Sequence, residues 1–123
     1  MFTVKDFLEL PQVEWYELLG GEAGIEERSI EHVARVEAPV DNFVRPKELA
    51  LSTILGLRDD QEKTELFIRE VCQRQASALV ISVPEDKITL LKSAVKFADK
   101  RRFPVILLPW DWHFSEIVDL VLG

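Results

Sequence analysis

Three short apolar runs, Glu48–Ile54, Ala78–Ser82 and Val105–Leu108, alternate along the chain with stretches whose apolar residues recur every three or four positions. Runs this short and this continuous fit strands covered on both faces. After the first run, Asp59 and Asp60 place negative charge at a helix start, and Phe67, Ile68, Val71 and Cys72 then share one side. After the second, Pro84 opens a helix on which Ile88, Leu91, Ala94, Val95 and Ala98 recur at helical spacing. After the third, Pro109 stops the strand, and a last helix carries Phe114, Ile117, Val118, Val121 and Leu122. Strands that alternate with helices of this length predict parallel pairing through right-handed crossovers.

The first half adds to this pattern. Thr3 and Asp6 have capping-box spacing ahead of Val4, Phe7 and Leu8, and Pro11 ends that short helix. Trp15 to Leu19 reads as a strand ended by Gly20-Gly21. Ile30 to Val36 reads as extended, with Ala34 and Val36 on one side and Pro39 as its stop. Both segments are expected to join the same sheet. No repeat or linker interrupts the 123 residues. The expectation is therefore one α/β domain over residues 1–123, with a largely parallel sheet flanked by helices. A chain of this size buries roughly two thirds of its unfolded surface and needs neither disulfide nor metal to fold. The single cysteine, Cys72, forms no internal bridge, which fits a reducing compartment. No apolar run reaches the ~20 residues of a membrane span, and the start has no secretory signal, so a cytoplasmic protein is expected.

Most chemistry is hard to place on this chain. A net charge of −7 argues against direct nucleic-acid binding. The basic cluster of Lys96, Lys100, Arg101 and Arg102 falls at a helix end, where it complements the helix dipole. His32, His113 and Cys72 lie too far apart to show metal-ligand spacing, so no metal is expected. Cys72 reads as a small buried apolar residue. There is no Gly-x-Ser-x-Gly elbow, and Ser82, His113 and Asp111 form a triad only by selection after the fact. Gly20 to Gly24 lacks the P-loop lysine and carries Glu22, so it reads as a turn. Neither an enzyme nor a cofactor is expected.

One constellation remains. In an open parallel sheet, ligands lie beyond the carboxyl ends of the strands. Those ends are read here at Ser52-Thr53 leading toward Arg58, at Ser82 before Pro84, and at Pro109-Trp110-Asp111-Trp112-His113. Ser52, Thr53, Arg58, Ser82, Trp110, Asp111, Trp112 and His113 are the candidate ligand-binding residues. Their hydroxyls, charges, imidazole and indoles suit a small polar, planar molecule. A structural account fits the same residues and is the weightier of the two. Ser82 and Asp111 can serve as helix caps, the two tryptophans can cover the core or a dimer contact, and Arg58 can pair with Asp59 or Asp60 on the surface.

Several segments carry a family resemblance. Thr3 to Pro11, Leu18 to Ile25 with Ile30 and Val33, Glu48 to Thr53, Phe103 to Trp110, and Phe114 to Ile117 are together similar to the N-terminal domain of PucR-type transcription regulators, named for purine catabolism. That family often has a glycine directly after its two hydroxyl residues, whereas here Ile54-Leu55 precede Gly56. The resemblance implies a sensory domain that precedes a helix-turn-helix region, with a fold similar to the N-terminal domains of Mur ligases and HPr kinase. Together with the acidic charge and the lack of catalytic groups, it leads to the expectation of a small-molecule effector, such as a purine-degradation intermediate or another metabolite, and/or self-association as a homodimer. The DNA-binding region is expected to be absent from these 123 residues. Two alternatives stay open: an interaction or dimerisation module, and a non-catalytic substrate-recognition domain of an enzyme.

Overall fold

The first helix is capped from its own sequence. The Asp6 N–H donates to Thr3 Oγ1 at 3.1 Å and the Thr3 N–H donates to Asp6 Oδ2 at 2.9 Å, ahead of α1 (Val4–Leu8). Val4 and Phe7 on that helix are fully buried. The computed structural model describes residues 1–13, 16–37, 44–53, 57, 60–108 and 114–122.

Among the described residues, five strands form one sheet: β1 (Glu17–Gly20), β2 (His32–Arg35), β3 (Glu48–Ser52), β4 (Ala78–Ser82) and β5 (Val105–Leu108), in the order β1-β5-β4-β3-β2. The pairs β2–β3, β3–β4 and β4–β5 are parallel. The exception is β1, which pairs antiparallel with β5, so the sheet is mixed at one margin. Every residue of β3, β4 and β5 is buried, as their unbroken apolar sequences require.

The strand order explains where the helices lie. The chain steps in one direction from β3 to β4 to β5, and crossovers of one hand then put both connecting helices on the same face. Accordingly α2 (Gln61–Gln73) and α3 (Lys92–Arg101) contribute Phe67, Ile68, Val71, Ala94, Phe97 and Ala98 to one core, against Ala50, Leu79, Ile81, Val105 and Leu107 of the sheet. The alternate strand residues Leu49, Leu51, Val80, Ile106 and Leu108 face the other way, toward α1 and α4 (Phe114–Leu122). Ile117 of α4 is fully buried, while Leu122 is 62% exposed.

One expected helix divides. Residues Glu85–Leu91 form a 3₁₀ segment, and α-helix begins only at Lys92. Ile88, Leu91 and Ala94 are three apart, a spacing that stays on one face at either 3.0 or 3.6 residues per turn, so apolar periodicity does not distinguish the two geometries. Phe97, rather than Val95, completes the buried face of α3.

The glycine-rich turn after β1 docks on the loop between α3 and β5. Gly21 adopts φ +80°, and a Cβ there would lie 2.2 Å from the Phe103 carbonyl oxygen. Its N–H donates to Asp99 Oδ1 at 2.8 Å. Arg28 reinforces the junction: its guanidinium donates to the carbonyls of Arg102 (2.6 Å), Arg101 (3.1 Å) and Ala76 (3.3 Å) and lies 5.5 Å from the Phe103 ring centre. It therefore supplies a cation and donors to the carbonyl-rich end of α3.

Candidate functional site at the carboxyl edge of the sheet

Parallel pairing brings the ends of three strands side by side. Arg35 closes β2 opposite Leu51, Ser52 closes β3 opposite Ile81, and Ser82 closes β4 opposite Leu108. Of the expected site residues, Ser52, Thr53 and Ser82 are therefore on one edge. Alternation along the strands separates them again. Ser52 follows Ala50 onto the face of α2 and α3, whereas Ser82 follows Val80 onto the face of α1 and α4. Ser52 and Ser82 are both buried. Arg58, Trp110, Asp111, Trp112 and His113 lie outside the described residues. Leu108, which precedes residues 109–113 in the chain, ends β5 on this same edge.

What gathers around Ser52 and Thr53 is a carboxylate that periodicity did not single out. Glu37 stands two residues past the end of β2, and its Oε1 accepts from the Ser52 hydroxyl at 2.6 Å and the Thr53 N–H at 3.0 Å. Its Oε2 accepts from the Thr53 hydroxyl at 2.9 Å and from Arg35 Nε at 3.1 Å and Nη2 at 3.0 Å. The cation is itself placed by packing, for the Arg35 guanidinium lies 5.4 Å from the ring centre of Phe114 at the start of α4. Burial pushes the Glu37 carboxyl up, but the hydrogen bonds from Ser52, Thr53 and Arg35 outweigh it and hold the group below its ordinary range. A carboxyl with a depressed pKa stabilises the fold above its unfolded pKa, and that contribution disappears as pH falls through the folded value. Denaturation midpoints measured from pH 7 to pH 3 should therefore fall less steeply for Glu37→Gln than for the parent protein. Parallel curves would show that the cluster contributes nothing to acid sensitivity.

The remaining reactive groups are placed as structural ones. Cys72 is half-buried, and burial pushes its thiol up against the opposing pull of Arg28 and Arg101, which disfavours a thiolate. Lys100 and Arg101 occupy the last turn of α3, and Arg102 lies 3.6 Å from Glu27. Among the described residues, no cluster of three His, Cys, Asp or Glu side chains could hold a metal ion, and no helix is long and apolar enough to cross a membrane. A cleft of about 590 Å³ opens between Val44 and the end of α2, lined by Glu70, Gln73 and Arg74. It lies toward the amino end of β3, away from the Glu37 cluster, and is wide open to solvent. The carboxyl edge is the better-built site, because its polar groups converge.

Comparison with known proteins places the chain in a family. The purine catabolism regulatory protein of Bacillus subtilis (strain 168) is 29% identical over 122 residues, which cover 98% of this chain and 23% of that protein. The chain thus spans less than a quarter of the length of that curated relative. No solved structure matches. The family model PucR, the purine catabolism regulatory protein-like family, matches residues 6–123, and the chain belongs to that family.

Proposed function

We propose that this domain is the sensory part of a transcription regulator. A small polar metabolite binds at the carboxyl edge of the sheet, and a DNA-binding region elsewhere in the protein reads the resulting change. The observation that carries the reading is the convergence of Arg35, Glu37, Ser52 and Thr53 at the strand ends. Open α/β sheets hold their ligands at such ends. The charge of −7 fits a domain that senses rather than one that grips DNA. The name of the Bacillus relative directs the search toward intermediates of purine degradation, ureides among them. A metabolite at about a hundred times its Kd adds roughly 2.7 kcal/mol, equivalent to a rise in Tm of roughly 10 °C for a domain of this size. A thermal-shift panel of purine-degradation intermediates should contain at least one such compound. Uniformly flat results at millimolar concentrations would discard the metabolite reading.

Self-association is the second reading, favoured by α4. Phe114, Val118 and Val121 are only partly covered, and Leu122 is 62% exposed. Such a stripe on a short helix suits a homodimer contact, and sedimentation of the free domain separates a dimer from a monomer.

A further inference from the structure

Donors of three kinds surround Glu37: two hydroxyls, one backbone N–H and a guanidinium fork, all between 2.6 and 3.1 Å from its two oxygens. This is the set that proteins assemble to hold an oxyanion, since each donor is strengthened by the charge it meets. It stands at the edge where a ligand is expected, yet the group it holds is a side chain of the protein itself. Building on the edge-site reading above, we propose that Arg35, Ser52 and Thr53 form a carboxylate-binding cradle, that Glu37 is its internal ligand, and that the effector is a carboxylate which displaces it.

The geometry favours this ligand class over neutral or cationic ones. Arg35 would repel a cation, and a neutral amide would lose the charge assistance in the bonds from the two hydroxyls and the Thr53 N–H, leaving ordinary ones of about half the strength. Displacement also has a structural consequence. The Glu37 carboxylate ties the chain beyond β2 to the end of β3, next to the backbone bond from the Val36 N–H to the Leu51 carbonyl at 2.8 Å. Exchanging the internal carboxylate for an external one removes that side-chain tie and leaves the cradle filled. The two states differ in how the margin of the sheet is held, which is the kind of difference an attached region can read.

Acetate is the probe, with acetamide as its neutral counterpart, and the readout is the backbone amide signal of Thr53 in an isotope-labelled protein. Glu37→Ala empties the cradle and should bind acetate saturably, at least tenfold more tightly than the parent, with no response to acetamide. A Thr53 signal unmoved by acetate, or moved equally in variant and parent, would overturn the proposal. Should Glu37→Ala not fold, Glu37→Gln keeps the shape of the plug and removes its charge. Acetate must then bind Glu37→Gln more tightly than the parent, and equal affinities count against the cradle. The sensor reading has its own outcome. A metabolite that stabilises the parent protein while Glu37→Ala ignores acetate upholds sensing and sinks the cradle. A responsive cradle in a domain that no metabolite stabilises does the reverse.

Discussion

Gly21→Ala should destabilise the domain by about 3 kcal/mol. Two costs combine. An alanine held at φ +80° costs roughly 1–2 kcal/mol in the left-handed region, and forcing a methyl into filled space costs roughly 1–3 kcal/mol more. The methyl would meet backbone, at 2.2 Å from the Phe103 carbonyl oxygen and 2.5 Å from the Pro104 nitrogen, not a flexible side-chain tip. Retreat of that loop is opposed by the Gly21–Asp99 bond and by the three Arg28 contacts to neighbouring carbonyls. The expected readout is a Tm lower by about 12 °C, while the exposed neighbour substitution Glu22→Ala stays close to the parent. A Gly21→Ala variant that melts with the parent would mean that the α3–β5 loop yields freely.

Ile106→Ala should cost about as much or more, by a different route. Ile106 is fully buried in β5, paired with Leu18 on one side and Val80 on the other, in the core shared with α1 and α4. Removing most of a buried isoleucine loses its transfer free energy and leaves a cavity, together roughly 2–5 kcal/mol. Domains of this kind are held by only about 5–15 kcal/mol, so the variant should unfold at clearly lower denaturant concentration with an unchanged dependence on denaturant. Leu122→Ala is the control, because that side chain is already 62% exposed and should cost less than about 0.5 kcal/mol. Equal losses for the two variants would contradict the assignment of the core.

The contrast between these residues also shows what the sequence discloses. Unbroken apolar runs announce a strand buried on both faces, and β3, β4 and β5 lie where those runs predict, between helices whose spacing is equally legible. The direction of β1 is less accessible, since nothing within Glu17–Gly20 encodes whether its partner runs beside it or against it. The polar edge divides in the same way. The position of Ser52 and Ser82 at strand ends follows from local pattern, but their opposite facing depends on counting from the first residue of each strand. Glu37 was hidden for a stronger reason. It belongs to no periodic segment, and its importance arises only when β2 lies next to β3 and carries it to Ser52 and Thr53. Arg28 is comparable, because the carbonyls it serves lie up to 74 residues away along the chain.

Pairing the earliest strand with the latest makes the sheet a clasp. β1 hydrogen-bonds to β5, and the turn after β1 is pinned to the stretch just before β5, so residues near 20 secure those near 105. Removing β1 would strip a neighbour from β5 and bare its apolar margin, the kind of edge that recruits other chains. Loop closure over this distance is slow, so the clasp should be among the last features to form as the chain folds. A newly made copy of this chain would remain open at that margin until residues beyond Val105 were free to dock.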